Sequence, residues 1–191
     1  IGILEKNDGR TRALAGGTDL IVKLRLGALS TGRVLDIKCL PECNELSFTP
    51  SEGLTLGAAV SCHRMNNDSE IVAVYPGLID ASAIIGGIQI QGRATFGGNL
   101  CNSSPSADCI PILIAYNAEC VIAGPEENRR IFVEDFCTGP GQNILKENEL
   151  LVAIYLPPAT KSSGAHYLRF IPRYEMDIAV VGVGAYVQLD E

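Results

Sequence analysis

Two pairs of adjacent glycines restrict what this chain can build, because each falls where an apolar stretch gives way to hydroxyl and amide side chains. The first lies in Leu14-Ala15-Gly16-Gly17-Thr18-Asp19-Leu20-Ile21, the second in Ala94-Thr95-Phe96-Gly97-Gly98-Asn99-Leu100. Glycine admits conformations closed to other residues and lets a neighbour approach without meeting a Cβ. At an element end such a pair can gather backbone N–H groups around one anion, and a following helix N-terminus adds partial positive charge. Glycine pairs are also common simply because tight turns need them, and on the residues alone both readings stand. Neither segment is a Walker loop, since no lysine follows, and neither has the spaced glycines of a dinucleotide fingerprint. Gly182-Val183-Gly184 lacks a third glycine, with Val187 in its place, and reads as packed strand.

Around the first pair the pattern is strand, glycine loop, helix, strand. Leu20, Ile21, Leu24 and Leu26 fit one helical face that Thr18 or Asp19 can cap and Gly27 can close. Residues 34–37 then alternate as a strand, a unit that supports parallel pairing. We take residues 1–44 as one lobe. Residues 45–160 form a second, with a hairpin over 46–49 and 54–57, a helix from Ser61 to about 66, and another from Tyr75-Pro76 through Ile84. An irregular segment to about Pro105 follows, then a buried helix over 107–115 and strands over 118–123, 130–133 and 150–156. A linker over 159–164 leads to strands over 166–170 and 177–189, so residues 161–191 read as linker and the start of a further, truncated domain. Opening on Ile1 and ending strand-like, the chain reads as cut at both ends.

Of the 191 residues 47% are hydrophobic, enough for one sizeable core or two small lobes. No apolar run reaches the roughly 20 residues a membrane helix needs. With 15 basic against 22 acidic residues the net charge is −7 and the basic residues do not cluster, which argues against a nucleic-acid partner. Cys39 and Cys43, or Cys101 and Cys109, lack the tight multiple spacing of a zinc or cluster site, so no metal is expected in this chain. Seven cysteines, an odd number among apolar neighbours, fit reduced cytoplasmic thiols. The Asn67 and Asn102 glycosylation sequons read as chance, and Cys62-His63 are adjacent, so in regular structure their side chains diverge.

The first glycine segment, the run from Ile84-Ile85-Gly86-Gly87 through Arg93-Ala94-Thr95-Phe96-Gly97-Gly98-Asn99-Leu100, and Ser104-Pro105-Ser106-Ala107-Asp108 together resemble the FAD-binding medium subunit of the xanthine dehydrogenase, or molybdenum hydroxylase, family. The likeness extends over nearly the whole chain, and Met176-Asp177-Ile178-Ala179-Val180-Val181 resembles the entry to that family's C-terminal domain. It implies an α+β, two-lobed, PCMH-type FAD-binding fold, similar to vanillyl-alcohol oxidase and MurB, with FAD extended between the lobes. It further implies that Leu14, Ala15, Gly16, Gly17, Thr18, Asp19, Leu20 and Ile21 wrap the diphosphate. Thr95, Gly97, Gly98 and Asn99, with Asn102, would contact the diphosphate and flavin side, and Ile85 and Gly86 would lie near the isoalloxazine. Asp108 would hold the adenosine ribose, although an aspartate there is equally a good first-turn helix residue. Leu151 and Arg169 would sit at a later edge of the site. Arg169 stands where the family often has lysine, which changes the geometry it offers.

The same resemblance implies a relay: electrons from 2Fe–2S clusters of an iron–sulfur small subunit pass through FAD to NAD or another acceptor, while a large subunit carrying the molybdenum cofactor hydroxylates the substrate. No catalytic acid or base is then required of this chain. The 4-hydroxybenzoyl-CoA reductase branch carries an inserted cluster loop, which is not seen here. Ala15-Gly16-Gly17-Thr18-Asp19-Leu20 is more similar to purine and heteroaromatic hydroxylases than to carbon monoxide dehydrogenases. Two alternatives are a stand-alone FAD-dependent oxidase or reductase, which would need a substrate cap, and a flavin-free scaffold domain.

Overall fold

The structure is a computed structural model and describes residues 1–6, 10–173 and 177–190. Helix α1 (Gly2–Glu5) precedes strand β1 (Thr11–Leu14), helix α2 (Leu20–Arg25) and strand β2 (Arg33–Asp36). As the pattern implies, β1 and β2 pair in parallel, Thr11 opposite Arg33 and Leu14 opposite Asp36, and Gly27 closes α2 with φ +68°. Two expectations fail here. Asp19 occupies the N-cap of α2 but its side chain accepts no N–H, and no residue of α2 is buried. Ile21, Val22 and Leu26 are exposed.

Strands β3 (Leu46–Thr49) and β4 (Gly53–Gly57) form the expected hairpin. Helix α3 (Cys62–Asn66) starts where Ser61 accepts the Arg64 N–H at 3.2 Å. Helix α4 (Ser69–Val74) is absent from the sequence reading; its signal is Asp68, whose Oδ1 accepts the N–H groups of Glu70 and Ile71. Helix α5 (Pro76–Ser82) begins at Pro76 as expected but stops short of Ile84. The stretch read as irregular contains two helices, α6 (Ile88–Gln91) and α7 (Phe96–Asn102). Paired glycines at the head of α7 hide it from propensity, yet Thr95 caps it through a 2.8 Å bond from the Gly98 N–H. Helix α8 (Cys109–Ala115) follows.

Strands β5 (Glu119–Ala123) and β6 (Asn128–Phe132), a short pair β7 (Cys137–Gly139) and β8 (Gln142–Asn143), and β9 (Leu150–Leu156) complete the second lobe. The main sheet is antiparallel with the order β3-β4-β9-β5-β6. Leu56, Ile122 and Ile154 of this sheet and Leu78, Leu100 and Ile112 of the helices are buried in one core. A smaller core of Leu4, Ile37, Cys43, Ala59 and Leu150 joins the first lobe to the second.

Strands β10 (Ser163–Phe170) and β11 (Val181–Gln188) make an antiparallel ribbon packed on α5 and α8. β10 begins inside the expected linker and β11 is shorter than the stretch 177–189; Met176 lies outside the described residues. The glycines of β11 fit a packed strand. A Cβ at Gly182 would run into the Tyr167 hydroxyl, and one at Gly184 would come within 2.6 Å of the Pro111 backbone. The ribbon's other face exposes Leu168, Phe170, Val183 and Val187. Among the described residues no helix is long and apolar enough to cross a membrane.

Candidate functional site

Both glycine loops open onto one cleft of about 570 Å³ between the lobes. β1 delivers the first loop to its rim, and Gly17 turns the chain with φ +82°, its Cα flanked by the side chains of Leu14 and Ile21. Gly16 lies against the backbone of Arg93 and Ala94 so closely that a Cβ would overlap the Arg93 carbonyl oxygen. Arg93 returns the contact, donating from Nε to the Gly16 carbonyl at 3.1 Å, while Lys38 Nζ donates to the Ala15 carbonyl at 3.0 Å. The loop's carbonyls are thus held by cations of the surrounding structure. The N–H groups of Gly17, Thr18, Asp19 and Leu20, by contrast, have no protein acceptor among the described residues.

The second loop repeats the arrangement. Gly97 lets α7 rest on Ala58, whose Cα would be 2.6 Å from an added Cβ. Thr95 takes up the Gly98 N–H, and the Asn99 N–H bonds the Thr95 carbonyl. The Phe96 and Gly97 N–H groups have no acceptor among the described residues. Backbone donors without a protein partner are satisfied by water or by a ligand, and here Gly17 to Leu20 of the first loop and Gly97 of the second line the same cavity. Of the four loop glycines, Gly16 and Gly97 serve close packing, Gly17 serves the turn, and Gly98 meets only Thr95 Oγ1 at 2.9 Å before the space opens toward Ala15.

The rest of the lining mixes an apolar floor, including Ile85, Ala58, Ala94 and Leu151, with charged groups at the edge. Lys23 of α2 donates from Nζ to Asn102 Oδ1 of α7 at 2.6 Å. Glu149 is gripped by Arg129, Nε to Oε1 at 2.9 Å and Nη2 to Oε2 at 2.8 Å, and the Lys146 N–H adds a third bond. The Arg129 guanidinium holds the Glu149 carboxyl below the usual carboxylate range.

Ala15 through Leu20, Ile85, Thr95, Gly97, Gly98, Asn99, Asn102 and Leu151 are therefore brought together at one cavity. Leu14 and Ile21 support it from behind Gly17, and Gly86 occupies a turn at φ +55° against Ile90. Asp108 and Arg169 are elsewhere. The carboxylate of Asp108 accepts the Tyr167 hydroxyl at 2.9 Å and Arg169 Nη1 at 3.1 Å, in a largely buried cluster joining α8 to β10. Burial first, then the adjacent Asp108 charge, raises the Tyr167 hydroxyl above its ordinary value. Asp108 does not cap α8 with its side chain; Asn99 Oδ1 accepts the Cys109 N–H there, at 3.3 Å. Sequence reasoning gave no role to Arg93 or Lys23. Arg93 stands immediately before the second loop and Lys23 one helical turn after the first, which is the signal that could have found them.

Residues 1–159 match the family model described as "FAD binding domain in molybdopterin dehydrogenase". Over all 191 residues the chain is 33% identical to the xanthine dehydrogenase FAD-binding subunit of Escherichia coli O157:H7, covering 65% of that protein. It is 33% identical over 154 residues to the glyceraldehyde dehydrogenase medium chain of Sulfolobus acidocaldarius, covering 81% of this chain and 54% of that one. Among solved structures, carbon monoxide dehydrogenase from Hydrogenophaga pseudoflava superposes with a TM-score of 0.93 at 25% identity, over 100% of this chain and 66% of the other. The chain thus spans about two thirds or less of the length of the relatives it matches.

Proposed function

Since the chain belongs to the family of FAD-binding domains of molybdopterin dehydrogenases, we propose that it holds FAD in the interlobe cleft and serves as the electron-transfer subunit of a molybdenum-hydroxylase complex. The observation that carries the cleft assignment is the set of five backbone N–H groups, on Gly17 to Leu20 and on Gly97, that lack protein acceptors among the described residues and belong to residues lining one cavity. Such donors suit a diphosphate, and Gly98 leaves room for it to come close to the backbone. Residues of Ala15 to Leu20, Thr95 and Gly97 to Asn99 would bind and orient it, with Ile85 and Leu151 offering apolar surface to the flavin ring. Leu14, Ile21 and Gly86 would act by shaping these loops. Asp108 and Arg169 would steady the wall of the site through each other.

When bound, FAD supplies the capacity to exchange single electrons with iron–sulfur clusters and a hydride with a nicotinamide. In the proposed complex the clusters lie on a small subunit, the molybdenum cofactor on a large subunit, and the acceptor is NAD or another oxidant. A cytoplasmic location belongs to the same proposal and rests on seven cysteines without a disulfide. The test is the visible spectrum of the purified full-length protein, followed by acid release and chromatography of any flavin. Bound or reconstituted FAD supports the reading; a colourless protein that ignores added FAD ends it.

A further inference from the structure

The ammonium of Lys23 links the two helices that follow the glycine loops. Side chains on a helix lean back over the preceding turn. Lys23, on the second half of α2, therefore reaches toward the loop at 16–19, and Asn102, at the end of α7, reaches back toward the loop at 95–98. Their 2.6 Å bond joins residues 79 apart in sequence across the mouth of the cleft, and both line it. The chain as a whole carries −7, so an anion entering this cavity needs local positive charge. Of the other cations near the loops, Arg93 and Lys38 are committed to the carbonyls of Gly16 and Ala15; Arg12 and Lys146 also line the cavity, but Lys23 is the one bonded to the helix that follows the second loop. The partner of Lys23 is a neutral amide rather than a carboxylate, and two further N–H donors remain on its ammonium.

We propose that Lys23 supplies the counter-charge for the diphosphate of a dinucleotide in this cleft, and that Asn102 is a positioning residue that presents it rather than a direct ligand. The proposal rests on the FAD reading above. On binding, the ammonium turns from Asn102 toward phosphate oxygens and ties α2 to the ligand. This also gives the unburied helix α2 a fixed partner.

The test measures FAD and ADP binding to the full-length protein by calorimetry from low to moderate salt, for wild type, Lys23→Gln, Lys23→Arg and Asn102→Ala. Lys23 is exposed, so the variants are expected to melt with the wild type. Lys23→Gln should weaken both ligands about tenfold at low salt and flatten the dependence of log Kd on log salt concentration. Lys23→Arg should restore both, and Asn102→Ala should weaken binding only two- to threefold while keeping the wild-type salt dependence. Wild-type binding of FAD with unchanged affinity and salt dependence in Lys23→Gln overturns this inference alone. A wild type that binds neither FAD nor ADP overturns it together with the FAD reading.

Discussion

Replacing Gly98 by alanine separates fold from ligand at one carbon atom. The new Cβ would lie 2.9 Å from Thr95 Oγ1, too close for both the methyl group and the cap to stay in place. Losing a threonine cap costs about 1 kcal/mol, whereas alanine for glycine inside a helix gains about the same. Gly98→Ala should therefore unfold in urea within about 0.5 kcal/mol of wild type. Its FAD affinity should nonetheless fall at least about tenfold, or 1.4 kcal/mol, because the methyl intrudes where the loop otherwise admits a ligand. Thr95→Ala alone should cost about 1 kcal/mol of stability. In that background the clash has gone, so adding Gly98→Ala should return up to about 1 kcal/mol, giving a coupling energy of similar size. Urea unfolding without ligand and FAD titration of the four proteins complete the cycle. A Gly98→Ala protein destabilised by more than about 2 kcal/mol in both backgrounds would show a packing glycine of the Gly16 kind, and unchanged FAD affinity would remove the cleft from the ligand's path.

Glu149→Gln should cost about 2 kcal/mol at neutral pH, from the loss of charge-assisted bonds to Arg129. Because the folded carboxyl titrates below its ordinary 4.5, the wild-type advantage is complete above that pH and disappears as the pH falls through the lower folded value; a separation of urea midpoints that does not shrink as the pH is lowered from 4.5 would contradict it. Asp108→Asn should cost about 3 kcal/mol by leaving Arg169 without its counter-charge, and normal stability with lost FAD binding would instead mark a direct ligand. Cys39 is the exposed thiol, while burial pushes Cys43 up to about 11 and Cys62 and Cys101 up to about 12. One thiol should react quickly with Ellman's reagent, and Cys39→Ser should abolish that phase.

Alternating strands and the hairpin turn were readable because burial on one face imposes a period of two. The parallel β1–β2 unit was readable from its glycine loop. The helices at Ser69–Val74, Ile88–Gln91 and Phe96–Asn102 were not, being too short to show a period; the first and last start at the side-chain caps of Asp68 and Thr95, and the middle one has none. The cavity's location followed from the glycines, but which glycine serves what did not. Gly16 and Gly97 answer to backbone lying on Arg93 and Ala58, far away in sequence. The partnership of Asp108 with Tyr167 and Arg169 spans about sixty residues and depends on β10 crossing α8, which local pattern does not encode.

The family model ends at residue 159, yet the ribbon of β10 and β11 that follows is fastened to what precedes it. Gly184 lies directly on Pro111, Tyr167 and Arg169 complete the shell of Asp108, and Asp80 accepts the Tyr167 N–H at 3.2 Å and pairs with His166. The edge of the family model is therefore not a mechanical edge of the molecule. Clipping the chain after 159 would leave an aspartate without counterion beside an uncovered helix, so the cofactor domain and its neighbour behave as a single piece of material, and any tilt of the ribbon would be felt at α8.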